Sequence, residues 1–141
     1  MNYPLGIDSS AYQFSSDGNR KPNFDIINAK CEFVAVRAGI SWGYQDKWFR
    51  YSWDNLTVPR MAYHVIYPGE SAASQMQHFL NIVRPTATDR LVLDVVNLRC
   101  RQIILQAVWQ FKPIWREWRM TFMFLKTALC HAIQVAMCII R

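Results

Sequence analysis

The sequence predicts an α/β fold with parallel strands, and three stretches carry that expectation. Residues 91–96, LVLDVV, form a short apolar run with one carboxylate, Asp94, near its centre. Such a run reads as a strand buried on both faces, and a carboxylate near its C-terminal end stands where α/β folds keep their chemistry. A second strand-plus-carboxylate unit, GIDSS at 6–10, opens the chain with Asp8. Between them, SAASQMQHFLNIV at 71–83 places Met76, Phe79, Leu80 and Val83 on one helical face, with Ser71 positioned as its cap.

The remaining elements fill in an alternating order. After the first strand, YQFSSDGNRKPN is rich in turn residues, with Asp17-Gly18 and Pro22 as breakers. FDIINAK at 24–30 is expected to be a short helix with Ile26 and Ile27 facing inward. FVAVRAG at 33–39 reads as a second buried strand, and Arg37 near its end needs a carboxylate partner, with Asp8 and Asp94 as the candidates. SWGYQD at 41–46 reads as a loop, and residues 47–56 as a helix. Trp48, Phe49 and Trp53 on that helix have the spacing of core packing rather than of a sugar platform.

RMAYHVIY at 60–67 is a third strand, closed by Pro68-Gly69. On the 71–83 helix, His78 lies on a mixed face and is expected to be exposed or packed rather than catalytic. Residues 84–89 form a loop into the strand at 91–96. The resulting βαβαβαβ order calls for a parallel sheet with right-handed crossovers.

The chain divides at residue 96. Its 141 residues suffice for one domain but are short for a complete eight-stranded α/β barrel, which takes roughly 200 residues or more. Residues 1–96 hold nine Lys/Arg and nine Asp/Glu, whereas residues 97–141 hold seven Lys/Arg and only Glu117, so the whole net charge of +6 belongs to the last third. A nucleic-acid partner is therefore not expected for the first part. All five Gly and all seven Asp precede Val96, so the tail lacks the usual material for turns and helix ends.

Within the tail, residues 103–111 and 120–140 permit helices, and the expectation is a helical or irregular basic appendage. Lys126, His131 and Gln134 interrupt the second stretch, which favours an interfacial or collapsed helix over a membrane span. Trp109, Trp115 and Trp118 beside Arg116 and Arg119 suit contact with anionic lipid or wall polymer, and an unselected cluster explains them as well. Cys31, Cys100, Cys130 and Cys138 show no CxxC or paired Cys/His spacing, so neither a metal nor another cofactor is expected. The opening MNYPLGID has no basic segment followed by an apolar run, so no cleaved signal peptide is expected, and the compartment stays open.

Read together, GIDSSAYQ, FVAVRAG with the following GYQD, MAYHVIYPGESAASQMQHFL and LVLDV resemble glycoside hydrolase family 25, the lysozymes or N-acetylmuramidases of bacteria and phages. The resemblance covers residues 4–95 and keeps the blocks in order. It implies a partial (β/α)8-like barrel that takes peptidoglycan or a related glycan and needs no cofactor. The bond cut by the family is the β-1,4 link between N-acetylmuramic acid and N-acetylglucosamine.

By the same resemblance, Asp8 and Asp94 belong to the acidic constellation, while the family's general-acid Glu falls on Val96. Tyr63 corresponds to a tyrosine near the family's cleft, and a buried strand tyrosine is the other reading. Glycoside cleavage needs one carboxylic acid to protonate the leaving oxygen and a second carboxylate to support the cationic centre or act as nucleophile. Residues two apart on a strand share a face, so Asp-x-Glu would aim two carboxyls into one cavity, and Asp-x-Val leaves one alone.

The expectation is thus a truncated, impaired muramidase, with a catalytically silent glycan-binding remnant or a basic membrane-surface protein as alternatives. The break at 96 is also compatible with an out-of-frame tail: reading from the last base of a valine codon into an asparagine codon gives NAA, which is Glu when that base is G. A half-barrel would leave its first and fourth strands as open edges, favouring self-association.

Overall fold

A computed structural model describes residues 4–67, 70–95 and 121–124. The strands are β1 (Gly6–Ser9), β2 (Phe33–Ile40), β3 (Tyr44–Gln45), β4 (Arg60–Ile66), β5 (Arg90–Val95) and β6 (Thr121–Phe124). The helices are α1 (Phe24–Lys30), α2 (Phe49–Asn55) and α3 (Ala72–Val83). One sheet runs in the order β1-β2-β4-β5-β6, every neighbouring pair parallel, with β3 joined antiparallel to β2. The expected α/β architecture of a partial barrel is the one observed.

All three helices pack on one face of this sheet. Val34, Val36, Ala62, Leu91 and Leu93 meet Phe24 of α1, Phe49 and Trp53 of α2, and Met76, Phe79 and Val83 of α3 in a single apolar cluster. The alternation of the strands dictates this face, because residues paired across a parallel sheet point the same way and their neighbours the other. Burial of Phe49 and Trp53 answers the expectation that the aromatics of α2 serve packing.

Local chemistry sets the helix ends. The Asn23 side chain accepts from Ile26 N and opens α1, and Ser71 Oγ accepts from Ser74 N and opens α3. Arg84 ends α3 in the left-handed conformation, with φ 50° and its N–H on Leu80 O. Arg50 reaches across from α2 to donate to the carbonyls of Ile82 and Val83 at 3.1 and 3.2 Å, satisfying the last turn of α3. Gln75, fully buried, bonds both N and O of Tyr67 and fixes the chain leaving β4 over α3.

Several expectations are corrected. In α1 the inward pair is Phe24 and Ile27, three residues apart on one face, while Ile26 is exposed. Residues 41–46 are not simply a loop: Tyr44 and Gln45 pair back on Ile40 and Gly39 as β3. Gly39 permits that return, since a side chain there would run into the Tyr44 carbonyl.

Within the stretch at 120–140 that permits a helix, Thr121–Phe124 is a strand aligned with Val92–Val95. The gain is the hydrogen-bonding edge of β5, a non-local partner that local propensity does not register. The fourth parallel strand in chain order, β5, is consequently not an open edge, whereas β1 has a strand neighbour on one side only among the described residues. The other expectations for residues 97–141, including membrane contact, lie outside the described residues. Among the described residues no helix is long and apolar enough to cross a membrane.

Candidate active site

The helix-free face of the sheet gathers the candidate residues. Asp8 is aligned with Ala35 and Ala35 with Met61; two residues on, Arg37 is aligned with Tyr63 and Tyr63 with Val92. Two residues further, Val65 is aligned with Asp94. The register therefore puts Asp8, Arg37, Tyr63 and Asp94 on one face, opposite the helices, around a small apolar floor of Tyr63, Val65 and Val92. Sequence spacing alone did not supply this convergence, because it depends on the register between strands.

Tyr63 is bonded to the first of the two carboxylates. Its hydroxyl donates to Asp8 Oδ2 at 3.3 Å, and its ring is buried. Burial, and then the negative charge of Asp8, hold the phenol far above its ordinary range, so it remains a neutral donor. Asp8 itself is exposed, open to a ligand on this face.

Asp94 is 3% exposed, and its Oδ1 has no hydrogen-bond partner among the described residues. Burial pushes its carboxyl up to about 6, with the charge of Asp8 adding to the effect. A neighbouring Glu is therefore not required to make this carboxyl a weak acid; its own desolvation suffices. Val96, where the resemblance expects that Glu, lies outside the described residues.

The partner of Arg37 is neither Asp8 nor Asp94 but Asp46. Arg37 Nε and a terminal nitrogen lie 3.1 and 3.0 Å from Asp46 Oδ2, with both side chains buried. Burial works against the guanidinium charge, but Asp46 outweighs it and holds the group above its usual value. Asp46 also accepts from Ala11 N at 2.8 Å and Trp48 N at 3.0 Å, tying the turn after β1 to the start of α2.

Sequence reasoning left Asp46 in a loop. The one signal available was Gly43 between two aromatics, a turn that returns the chain so that Asp46 N bonds Ala38 O at 2.9 Å. The ring of Tyr12 lies 5.0 Å from the Arg37 guanidinium carbon and that of Tyr44 5.7 Å from it, completing the mouth of the site.

A second group missed in the sequence is His64, fully buried on the helix face. Its Nε2 lies 2.6 Å from Ser41 O, and since a carbonyl only accepts, Nε2 carries the proton. Burial lowers the ring to about 4, so it is neutral. His78, expected to be exposed or packed, is half-buried, its ring 5.9 Å from that of His64. Among the described residues no group of His, Cys, Asp and Glu is arranged to hold a metal ion.

No protein-family model matches the sequence, and no curated protein matches it. Solved structures do. A family 25 glycosyl hydrolase from Bacillus anthracis superposes with a TM-score of 0.68 at 17% identity, covering 86% of this chain and 60% of that one. The modular autolysin LytC from Streptococcus pneumoniae, solved in complex with a synthetic peptidoglycan ligand, gives 0.59 at 17% identity, covering 88% of this chain and 33% of its own. At this identity the likeness is one of fold, and it agrees with the resemblance carried by the four sequence blocks. The chain has the α/β fold of a family 25 glycosyl hydrolase and spans 60% of that protein's length.

Proposed function

We propose that the chain is a lysozyme-like glycan module that binds peptidoglycan on its helix-free face and is impaired in cutting it. The observation that carries this reading is the convergence of Asp8, Tyr63 and Asp94 on that face, with Asp8 exposed and Asp94 buried. An exposed carboxylate and a neutral tyrosine hydroxyl suit the hydroxyl and acetamido groups of a sugar. The fold shared with a hydrolase and with an autolysin holding a peptidoglycan ligand supports the same ligand class.

Cleavage asks for a proton donor beside the scissile oxygen, and position 96 is a valine. Asp94 is a buried acid on this face with a raised pKa, whereas the buried Asp46 is paired with Arg37, so any residual cleavage runs through Asp94 and belongs to pH below about 6. Co-sedimentation with purified peptidoglycan tests the binding. The chain is expected in the pellet, with Asp8→Ala and Tyr63→Phe each weakening retention by about three- to tenfold, the worth of one or two hydrogen bonds. Equal retention of both variants would remove the helix-free face as the binding surface.

The compositional break after Val96 supports an out-of-frame origin for residues 97–141. The coding DNA tests it. The frame beginning at the last base of the Val96 codon is expected to open on Glu and continue as a lysozyme-like second half, and a frame without one contradicts this origin.

A further inference from the structure

On the helix side, away from the acidic face, two clefts share His78 and Asn81 and so form one groove along α3. One end, about 530 Å³, is lined by Trp42, Ala73, Ser74, Gln77, His78 and Asn81. The other, about 570 Å³, continues past Asn81 to Gln45, Arg50 and Arg84. Neither end is lined by a carboxylate, and neither includes Asp8, Tyr63 or Asp94.

Of the three tryptophans among the described residues, Trp53 is 3% exposed and Trp48 half-buried, whereas Trp42 is 62% exposed. The backbone just before it is strained. Ser41 has φ 54°, a left-handed conformation costly for a side-chain-bearing residue. Three contacts impose it. Ser41 N donates to Val65 O at 2.8 Å, its carbonyl accepts from the buried His64 Nε2 at 2.6 Å, and its hydroxyl bonds the Glu70 carboxylate.

His64 in turn stacks on Phe79 of α3, ring centroids 4.9 Å apart. The indole and α3 therefore stand on one frame, with a buried histidine as the joint. Along α3, Gln77 Nε2 donates to Asn81 Oδ1 at 2.9 Å, which fixes both amides and leaves the Gln77 oxygen as an acceptor and the Asn81 amino group as a donor.

We propose that this groove is a second glycan-binding site, in which Trp42 stacks on a sugar ring and Gln77 and Asn81 bond its hydroxyl or acetamido groups. A pyranose has an apolar C–H face and groups that both donate and accept, and the groove offers a counterpart to each. The absence of carboxylates among its lining residues suits a neutral or N-acetylated oligosaccharide rather than a cation. The strain at Ser41 and the buried His64 have a use in this arrangement: they hold the indole in place before the ligand arrives. No residue is shared with the acidic face, so the groove and that face stand or fall separately.

The test is a heteronuclear NMR titration of the full chain with tetra-N-acetylchitotetraose, following indole and side-chain amide signals, with Trp42→Ala identifying the Trp42 resonance. The Trp42 indole and the Gln77 and Asn81 amides are expected to shift saturably. Affinity at these signals is expected to fall about tenfold in Trp42→Ala, read at the amides, and about three- to tenfold in Gln77→Ala. In Asp94→Asn the same shifts are expected to persist. An unmoved Trp42 indole, unchanged affinity in Trp42→Ala and Gln77→Ala, or loss of the shifts in Asp94→Asn would each overturn the site. Both groove substitutions replace exposed side chains, and a thermal melt of each variant confirms that the fold persists.

Discussion

The Tyr63 hydroxyl donates to Asp8 Oδ2 across 3.3 Å, joining β4 to β1 over the intervening strand β2. The bond spans 55 positions of sequence and aims an exposed carboxylate over a buried tyrosine. The same carboxylate adds to the raised pKa of Asp94 on β5, the strand next to β4, so Tyr63 and Asp94 both sense its charge.

The first prediction concerns that coupling. Asp94 is expected to titrate near 6, above the ordinary 3.8, in carbon-detected NMR of the side-chain carboxyls. Asp8→Asn removes the smaller cause and leaves burial, so the value should move down yet stay above the ordinary range. A shift unaffected by Asp8→Asn would show that the two groups do not sense each other.

Stability against pH follows from two buried groups of opposite sign. Asp94 holds its proton more tightly folded than unfolded, so its stabilising contribution is full below about 3.8 and is lost as pH rises through about 6. His64 is the reverse: its folded value near 4 lies below the unfolded 6.5, so its contribution is full above 6.5 and is lost as pH falls towards 4. Each shift is worth about 3 kcal/mol, so the two nearly cancel. Denaturant midpoints should be almost flat between pH 4 and 6 in the parent chain. They should rise towards acid in His64→Gln and fall towards acid in Asp94→Asn. Parallel profiles in the two variants would contradict both assignments.

The Arg37–Asp46 pair is the third test. Removing one partner leaves a buried charge without its counterion, which costs about 3–5 kcal/mol. Asp46→Ala also frees Ala11 N and Trp48 N, so it should destabilise more than Arg37→Leu, as read by thermal or denaturant unfolding. An effect under about 1 kcal/mol, typical of exposed pairs, would mean that the pair is hydrated.

These residues also show what the sequence alone could convey. The helix α3 was legible with its cap because Ser71 and an apolar face at helical spacing are local signals, and β5 because an apolar run of strand length is one too. Ile26 was misplaced because a seven-residue helix is too short for its apolar period to separate Phe24 from Ile26. Asp46 was missed because its role depends on β3, two residues long, folding back on β2. His64 was missed because burial depends on what α3 lays across it, and β6 because its partner lies about 30 positions away along the register. Asp8 and Asp94 stood out as carboxylates on apolar strand runs and Tyr63 came from the family resemblance, while their common face comes from strand register.

Placing a carboxyl at position 96 is the fourth test. Val96→Glu supplies a donor two residues beyond Asp94, but five parallel strands are described and a closed barrel takes eight. No measurable gain in glycan cleavage is expected from this change alone. Release rising about tenfold or more would mark the remaining site as complete.

The most direct measurement is the quantity of soluble muropeptides released from purified peptidoglycan by the unmodified chain, assayed alongside its retention on the same polymer. Retention without release above the level of a heat-denatured control is the expected result. Sustained release at neutral pH, where Asp94 has given up its proton, would contradict the account.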